Sequence, residues 1–449
     1  MNIILITADT LKEKTIKTQK KYIPNIEFLK KNGFCFSNNF VCSPWTGPSF
    51  ASFFTGVYPN EHSLQINIPK VKDSVNSTKT EEELLDGSFK FEFEKQFTKF
   101  LRKTHYCMGI QGNLLCTEDF GFGKYFHEYT VHFKGNLLMK TIFRFSAKIK
   151  LYKFLMKIKK IKDNALKKLS TKKAVLTKSK TAEVLAEDAI KKIGENKNKE
   201  FFLWVNFMDM HSPYTDICGL EEKPEYKKID KTKSELFNLT YNLENKLTET
   251  EKKFVTEKYD SNIRIIDKGI GKIIECLKEN SLFEKTAIIF TSDHGEEFWE
   301  HGKKRNDEFF YNRGVSHGHT VYNELIKVPL ILFYPSLGSK KIEKLTSCVN
   351  IYNTIFELAG IQKDSELPPS ILDISLNKAE MDYVISEYLL YGKETKGIID
   401  KNNFKLIKGI GNKRTELYDL KKDPEEKKEI SGTNEKKVKE LARKMLYHM

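Results

Sequence analysis

Short runs of apolar, β-branched and aromatic residues alternate along the chain with longer segments in which apolar residues recur every three or four positions. The short runs predict buried strands, and the longer segments predict amphipathic helices. The predicted strands are Ile3–Thr7, His105–Ile110, Phe201–Asn206, Ala287–Thr291 and Pro329–Tyr334. The predicted helices are Pro24–Lys31, a segment opening at Pro48, Thr181–Ile193, Thr248–Lys278 and Asn350–Ala359. This alternation favours an α/β fold, in which helices sandwich a mostly parallel central sheet.

The pattern changes near the C-terminus, where short strand-like pieces are joined by turns rich in Lys, Gly and Asn. These pieces are Asp382–Glu387, Phe404–Ile407 and Glu416–Asp419, and a charged helix is predicted from about Glu435. We therefore predict a catalytic domain over residues 1–375 and a small C-terminal α+β subdomain over residues 376–449.

The net charge of +15 is concentrated in one segment. Between Lys134 and Lys173 there are fourteen Lys or Arg residues and one acidic residue, Asp163. The segment at about 134–180 carries no strand pattern, so we interpret it as a basic helical insertion. Its apolar residues, such as Leu151 and Phe154, interleave with lysines, as in helices that lie on anionic membrane surfaces. The alternative is a solvated helical lid packed on the domain.

Composition and cysteine usage narrow the class of protein. With 449 residues and 39% hydrophobic residues, the chain can bury a large core, which excludes a disordered or fibrous protein. The seven cysteines show no CxxC spacing, which indicates neither a disulfide framework nor a zinc ribbon. The apolar run at the N-terminus is too short for a signal peptide, and no segment has the roughly 20 apolar residues of a membrane span. We therefore expect a cytoplasmic protein, peripheral to the membrane where the basic segment contacts it.

Acidic and imidazole side chains follow two of the predicted strands. Asp9 follows the first strand, and Asp293 and His294 follow the strand that ends at Thr291. Ligand sites in open α/β sheets form at the carboxyl ends of strands. Oxygen and nitrogen ligands together suit a divalent ion such as zinc, manganese or magnesium. The alternative for Asp9 alone is a turn or helix cap.

Further polar clusters lie at other strand ends and at one helix start. Thr46 precedes Pro48 at a predicted helix N-terminus, where backbone N–H groups and the helix dipole favour an anion. Asp209 and His211 follow a predicted strand, and His317 and His319 precede another. Thr46 as a simple N-cap, and structural roles for the histidines, remain the alternatives.

Taken in order, these segments resemble the sulfatase family of the alkaline phosphatase superfamily. The similarity covers most of the chain outside the basic segment. The matching segments are Asn2 to Leu11, Tyr22 to Ile26, Pro48 to Gly56 with Tyr58, Pro59 and His62, Gly121 with Phe122 and Phe126, Tyr259 to Leu277, Asp293 to Gly295, Val328 to Ile331, and Glu416 to Leu420 with Asp423, Pro424 and Glu426.

The sequence departs from the family pattern at three positions. Thr46 stands ten residues before Gly56, where sulfatases carry the Cys or Ser that becomes formylglycine, and threonine cannot form that aldehyde. Cys42 imitates the start of the modified motif, but it lies four residues too early. Phe50 stands at the arginine position of the motif, and Thr10 at the position of the usual second aspartate. The chain therefore resembles the superfamily members with a threonine nucleophile, which are phosphodiesterases and phosphoglycerol or phosphoethanolamine transferases.

This resemblance implies a set of site residues and a reaction. It places Asp9, Thr46, Asp293 and His294 around a divalent ion (zinc, manganese, magnesium or calcium), makes Thr46, His211 and His317 catalytic, and leaves Asp209 and His319 for a second site. The implied activity is hydrolysis or transfer of phosphate or sulfate esters, with phosphoesters favoured, and the partner is an anionic ester of a glycan, a lipid head group or a nucleotide. The alternatives are a sulfuric ester hydrolase and an inactive family member that binds an anionic polymer or membrane.

Overall fold

The computed structural model describes residues 1–62, 94–132, 181–229, 247–301, 315–387, 389–390, 394–411 and 414–446. Within these residues the strands are β1 (Asn2–Ala8), β2 (Phe34–Phe40), β3 (Tyr106–Gln111), β4 (Glu128–Val131), β5 (Phe201–Phe207), β6 (Thr286–Thr291), β7 (Glu297–Phe298), β8 (Val315–Ser316), β9 (Leu330–Phe333), β10 (Lys340–Ser347), β11 (Tyr383–Ser386), β12 (Thr395–Asp400), β13 (Phe404–Gly409) and β14 (Thr415–Asp419). The α-helices are Glu13–Thr18, Pro24–Asn32, Thr46–Thr55, Pro59–His62, Phe97–Leu101, Ala182–Glu195, Glu249–Glu279, Asn323–Ile326, Asn350–Leu358, Ile371–Ser375 and Glu435–Leu446.

Eight strands form the central sheet, in the order β10-β2-β9-β6-β1-β5-β3-β4. β9 pairs antiparallel with both β2 and β6, and every other neighbouring pair is parallel. The predicted α/β fold with a mostly parallel sheet is confirmed. Because β1, β5 and β6 are adjacent and parallel, their carboxyl ends meet at one edge of the sheet.

Apolar side chains cover both faces of the sheet. Successive side chains along a strand point to opposite faces, so neighbouring residues of β1 belong to different clusters. Ile3 and Leu5 of β1 belong to one apolar cluster, which includes residues of the helices Thr46–Thr55 and Asn350–Leu358. Ile4 and Ile6 belong to the other, which includes residues of Pro24–Asn32, Ala182–Glu195 and Glu249–Glu279. The longest helix starts with a capping box, in which the Thr248 hydroxyl accepts from the Glu251 amide and the Glu251 carboxylate accepts from the Thr248 amide.

A second, antiparallel sheet of β11-β12-β13-β14 lies near the C-terminus. Leu406 and Leu417 of this sheet, together with Leu441 of the helix Glu435–Leu446, pack into the same apolar cluster as Ile3 and Leu5. The predicted small C-terminal α+β unit is therefore present. Its proposed boundary at residue 376 stays a prediction.

Several strands have no clear signal in the sequence. β2 carries polar residues at its centre, where the Asn38 amide donates to the carbonyl oxygen of Glu343 at 2.7 Å. β10 is an edge strand, and its first two residues, Lys340 and Lys341, are exposed. Such strands lack the apolar pattern because neighbouring strands or solvent satisfy their polar groups. β4 and β12 were also not predicted.

The basic segment at 134–180 lies outside the described residues, so its predicted helix and membrane contact remain predictions. Among the helices that the structure does describe, none combines the length and apolar character needed to cross a membrane.

Candidate active site

Asp9, Asp293 and His294 come together at the carboxyl edge of the central sheet. Asp9 follows β1, and Asp293 and His294 follow the adjacent strand β6. All three side chains are fully buried, and one potential ligand atom from each lies within 4.8 Å of the others. The parallel pairing of the two strands brings residues that are 284 positions apart in the sequence to one point.

Each carboxylate has one oxygen that lacks a hydrogen-bond partner among the described residues. Asp9 Oδ2 accepts from the Asn113 amide at 2.6 Å, whereas the buried Oδ1 has no such partner. Asp293 Oδ1 accepts from the backbone N–H groups of Thr10 and His294, whereas the buried Oδ2 has none. Burial, together with repulsion from Asp293, raises the pKa of Asp9 well above its usual value, and burial raises the pKa of Asp293 to about 6.

The His294 ring presents its Nε2 atom to these carboxylates. Its Nδ1 atom lies 2.9 Å from the carbonyl oxygen of Gly295, which can only accept, so Nδ1 carries the hydrogen. Nε2 lies 3.5 Å from Asp293 Oδ2 and 3.9 Å from Asp9 Oδ1. Burial, with His317 nearby, lowers the pKa of His294 well below its usual value, so the ring is neutral. A lone pair that faces carboxylates is unfavourable without a cation, so the donor set fits a divalent metal ion.

Thr46 places its hydroxyl beside this cluster. It is the first residue of the helix Thr46–Thr55, and its Oγ1 atom lies 3.3 Å from His294 Nε2. The prediction that this helix opens at Pro48 is wrong by two residues. Proline is tolerated inside the first turn because the N–H groups there have no partner within the helix.

Asn113 connects the hydroxyl of Thr46 to Asp9, and the sequence analysis did not identify it. It lies two residues after β3, and its Nδ2 atom donates to Asp9 Oδ2 at 2.6 Å and to Thr46 Oγ1 at 3.4 Å. Its own Oδ1 atom accepts from the Leu115 amide, which fixes the orientation of the side-chain amide. The available signal was a polar residue after a buried strand, as at Asp9.

Cys42 lies in the apolar core and makes none of these contacts. Its Sγ atom lies 3.1 Å from Cys348 Sγ and 3.4 Å from Ser347 Oγ. Burial is the main reason that the pKa of its thiol is raised well above its usual value, so the thiol stays protonated. Cys42 therefore lies apart from the cluster of Asp9, Asp293 and His294.

The other two departures from the family pattern, Phe50 and Thr10, lie in different surroundings. Phe50, at the arginine position, packs in an aromatic cluster with Trp204 and Phe53, at ring-centroid distances of 5.1 and 5.6 Å. Thr10, at the second aspartate position, has φ of 61°, which is strained for a β-branched residue. The Tyr259 hydroxyl donates to the Thr10 carbonyl oxygen at 2.7 Å and so helps to hold this strained conformation beside Asp9.

His211 and His317 lie next to the cluster. The His317 ring centroid is 4.4 Å from that of His294 and 5.3 Å from that of His211. His317 Nδ1 lies 3.2 Å from Glu296 Oε1, and the other Glu296 oxygen accepts from the Tyr214 hydroxyl at 3.1 Å. Burial disfavours the charged His317 ring, but the Glu296 carboxylate outweighs burial and raises the pKa of His317. Glu296 directly follows Gly295 in the sequence, but no sequence pattern predicts that its carboxylate contacts His317.

Asp209 and His319, the predicted second site, each contact other groups. Asp209 Oδ2 accepts from the Ala182 amide at 2.8 Å, at the start of the helix Ala182–Glu195. His319 Nε2 lies 2.6 Å from Glu297 Oε2. Within the described part of the chain, the group of three potential metal ligands consists of Asp9, Asp293 and His294. Neither Asp209 nor His319 belongs to such a group there. A second site stays a prediction.

Two family profiles match the chain. The profile described as Sulfatase matches residues 1–361. The profile described as N-sulphoglucosamine sulphohydrolase, C-terminal, matches residues 313–449. Together they cover both the central sheet and the C-terminal sheet.

Curated relatives and solved structures agree with these profiles. Arylsulfatase K of Xenopus laevis is 25% identical over 272 residues, which cover 56% of this chain and 47% of that protein. Arylsulfatase K of Mus musculus is 33% identical over 138 residues, which cover 30% of this chain and 22% of that protein. The chain thus spans about half or less of the length of these relatives.

Among solved structures, the phosphonate monoester hydrolase of Agrobacterium radiobacter aligns with a TM-score of 0.67 and 16% identity, over 100% of this chain and 95% of that chain. A structure in complex with D-glucosamine-2-N,6-O-disulfate aligns with a TM-score of 0.63 and 17% identity, over 100% of this chain and 97% of that chain. At these identities the likeness concerns the fold.

Proposed function

Since this chain belongs to the sulfatase family, a family of hydrolases, we propose that it is a metal-dependent hydrolase or transferase of anionic esters. We further propose that Thr46 is its nucleophile and that phosphate esters are favoured over sulfate esters. The observation that supports this proposal is the Thr46 hydroxyl at a helix start, 3.3 Å from His294 Nε2 and beside two unbalanced carboxylates. Threonine cannot be converted to formylglycine, so Thr46 cannot use the aldehyde mechanism of the sulfatases.

Asp9, Asp293, His294 and Thr46 would hold the metal ion. Their two carboxylate oxygens without hydrogen-bond partners and the neutral imidazole are the ligand types that a divalent ion takes. When bound, such an ion would neutralise the carboxylates and lower the pKa of the Thr46 hydroxyl.

Thr46, the two histidines and Asn113 act on the ester itself. Thr46 Oγ1 gives up its proton to solvent and attacks phosphorus, the bond from phosphorus to the leaving oxygen breaks, and the imidazolium of His317, whose pKa Glu296 raises, donates a proton to that oxygen. Burial lowers the pKa of His211, which makes His211 the weaker proton donor. Asn113 orients the attacking hydroxyl through its hydrogen bond to Oγ1. Water, or an acceptor alcohol, then attacks the phosphorus of the Thr46 ester and releases the threonine.

A second candidate function is sulfuric ester hydrolysis. The curated relatives named arylsulfatase K favour it, as does the neighbour solved with a disulfated glucosamine. A threonine sulfate, however, cannot be released by collapse to an aldehyde, as the formylglycine hydrate can. The phosphoester proposal therefore rests on the identity of residue 46. The other alternative, an inactive member that binds an anionic polymer or membrane, gives no reason for buried carboxylates and an imidazole grouped as metal ligands.

We also propose that the enzyme acts in the cytoplasm and that its basic segment, at about 134–180, brings it to an anionic membrane surface. Sedimentation with anionic vesicles should then fall with salt and should exceed sedimentation with neutral vesicles. Equal recovery with both kinds of vesicle would contradict the membrane contact.

The proposal can be tested with three matched aryl substrates: a sulfate, a phosphate monoester and a phosphodiester. After reconstitution with zinc, manganese, magnesium or calcium, we expect turnover of a phosphate ester to exceed that of the sulfate. Thr46→Ala should reduce the rate by about a thousandfold or more, because losing a nucleophile typically removes several orders of magnitude. Cys42→Ala is the matched control, and it should keep most of the activity.

Mass spectrometry of a trapped intermediate identifies the nucleophile directly. We expect a phosphoryl adduct on the peptide that contains Thr46. An aldehyde or adduct on Cys42, or faster turnover of the aryl sulfate, would overturn the proposal in favour of a sulfuric ester hydrolase.

A further inference from the structure

A buried ion pair lies in the C-terminal sheet, well separated in sequence from the candidate active site. Lys405 of β13 and Glu426 are both fully buried, with Nζ 2.7 Å from Oε1. Lys405 Nζ also donates to Asn323 Oδ1 at 3.0 Å, and Glu426 Oε2 accepts from the Asn323 backbone N–H at 2.6 Å. The pair thus fixes the start of the short helix Asn323–Ile326.

Residues 322–327, which contain this helix and which we call the brace, touch all three segments that carry the candidate metal ligands. The Gly295 amide, next to His294, donates to the Leu325 carbonyl oxygen at 2.8 Å. The Val41 amide, five residues before Thr46, donates to the Ile326 carbonyl oxygen at 2.9 Å. The Glu13 amide, four residues after Asp9, donates to the Lys327 carbonyl oxygen at 3.3 Å. A shift of the brace would therefore change the position of each segment that carries a candidate metal ligand.

The contact between the brace and Gly295 leaves no free space. A Cβ atom added at Gly295 would lie 2.0 Å from the Glu324 carbonyl oxygen, so the two backbones pack directly on each other. His301 adds a second link: its Nδ1 atom lies 2.7 Å from Glu324 Oε1, and its Nε2 atom lies 3.2 Å from the Glu426 carbonyl oxygen. The C-terminal sheet, the brace and the loop after β6 are therefore joined by backbone and buried polar contacts.

We propose that the Lys405–Glu426 pair is a positioning element of the active site, which holds the brace in the place where it orients His294 and the other metal ligands. Neither residue is among the candidate metal ligands Asp9, Asp293 and His294. The consequence for metal affinity rests on the proposed metal centre, whereas the effect on the Gly295 backbone does not. The C-terminal subdomain is thereby part of the catalytic unit.

The test compares two variants, Glu426→Leu and the double variant Lys405→Met with Glu426→Leu. The single variant leaves a buried lysine unpaired, so it should lower Tm strongly, and the double variant should recover most of that loss. Both variants lack the acceptor for the Asn323 amide. We therefore expect both to bind Mn²⁺ about tenfold more weakly in titrations of metal-free protein, as is typical when groups behind the ligands are removed.

Amide hydrogen exchange at Gly295, measured without metal, gives a second readout. Its protection should fall about tenfold in the double variant, because the Leu325 carbonyl is no longer held in place. The matched control is Asp400→Asn, which removes the charge that pairs with Lys437 at 2.8 Å in the same subdomain but keeps an acceptor for the Phe404 amide. It should lower Tm but change neither readout.

Gly295 protection that stays at the wild-type level in the double variant would overturn the proposal. An Mn²⁺ Kd within twofold of wild type in that variant would also overturn it. Failure of the wild-type protein to bind any of Mn²⁺, zinc, magnesium and calcium would instead contradict the proposed metal centre, and the Gly295 exchange would still decide the role of the brace.

Discussion

Two buried clusters of ionisable side chains in this protein differ in whether their charges balance. At the edge of the central sheet, Asp9 and Asp293 face a neutral His294, and each carboxylate keeps one oxygen without a hydrogen-bond partner among the described residues. In the C-terminal sheet, Lys405 neutralises Glu426, and Asn323 contacts both. Burying a charge costs several kcal/mol unless it is paired. The charges of Lys405 and Glu426 therefore balance each other within the fold, whereas Asp9, Asp293 and His294 together form a donor set that fits a divalent cation.

The first prediction tests this difference at Asp293, where the expected effect is the largest. Asp293→Asn keeps an oxygen that accepts from the Thr10 and His294 amides, but it removes the charge. We expect the Kd for Mn²⁺ to rise by at least about a hundredfold, because a ligand is lost, not merely misplaced. The metal-free variant should melt at a higher temperature than metal-free wild type, because one source of repulsion in the cluster is gone. Titration calorimetry and thermal melts with a chelator measure the two effects.

The contrasting substitution is Lys405→Met in the balanced cluster. It leaves Glu426 buried without its cation, which should destabilise the fold by about 3–5 kcal/mol. If Asp293→Asn instead lowered the Tm of the metal-free protein as much as Lys405→Met does, the two clusters would not differ in the way described above.

The second prediction concerns Asn113, which makes hydrogen bonds to Asp9 and Thr46. Asn113→Ala should lower kcat about tenfold to a hundredfold, because the Thr46 hydroxyl loses a group that orients it. Asn113→Ala also removes the acceptor for the Leu115 amide, so a loss of stability of about 1 kcal/mol is expected beside the kinetic effect. Steady-state kinetics on the phosphate ester gives kcat and KM separately. A change confined to KM would assign Asn113 to substrate binding.

The fold was largely readable from the sequence, because buried parallel strands and amphipathic helices have strong patterns. Ile3–Thr7 was predicted as a strand and the structure extends it to Asn2–Ala8, and Thr248–Lys278 was predicted as a helix where Glu249–Glu279 is found. The strands β2 and β10 escaped prediction because their polar residues are satisfied by neighbouring strands or by solvent. Local pattern cannot register such tertiary pairing.

The candidate site was readable only where its residues end predicted strands or start helices. Asp9, Thr46, Asp293 and His294 could be named in this way, and the structure brings them together. Asn113 and Glu296 could not, because their roles depend on which side chain each one faces across the fold. Asp209 carried the same signal as Asp9, yet its carboxylate accepts from the start of a helix.

The third prediction concerns the pH dependence of the metal-free protein. The pKa of Asp293 is raised to about 6 in the folded state, above its ordinary value of 3.8, so the folded protein binds more protons than the unfolded chain between these values. Stability should therefore fall as pH rises from about 4 through about 6. Asp9, whose pKa is also raised, contributes with the same sign.

Thermal melts with a chelator at pH 5, 6 and 7 check this dependence. The Tm of wild type should rise on acidification by more than the Tm of Asp293→Asn, which cannot take up that proton. Parallel pH profiles for the two proteins would show that the pKa of Asp293 is not raised in the folded protein.

The fourth prediction, with the smallest expected effect, separates Asp209 from the metal centre. Its Oδ2 atom accepts from the Ala182 amide at the start of the helix Ala182–Glu195, where the N-cap residue Thr181 makes no side-chain cap. Asp209→Ala should therefore cost about 1 kcal/mol of stability, as the loss of a helix cap does. The bound metal per chain, measured by elemental analysis, should match wild type, with Asp293→Asn as the variant that loses metal. The second-site hypothesis drawn from the sequence requires the opposite result, in which Asp209→Ala removes one ion per chain. Asp209 already accepts from a backbone amide, and within the described residues it belongs to no group of three potential metal ligands. We therefore expect the smaller, structural effect.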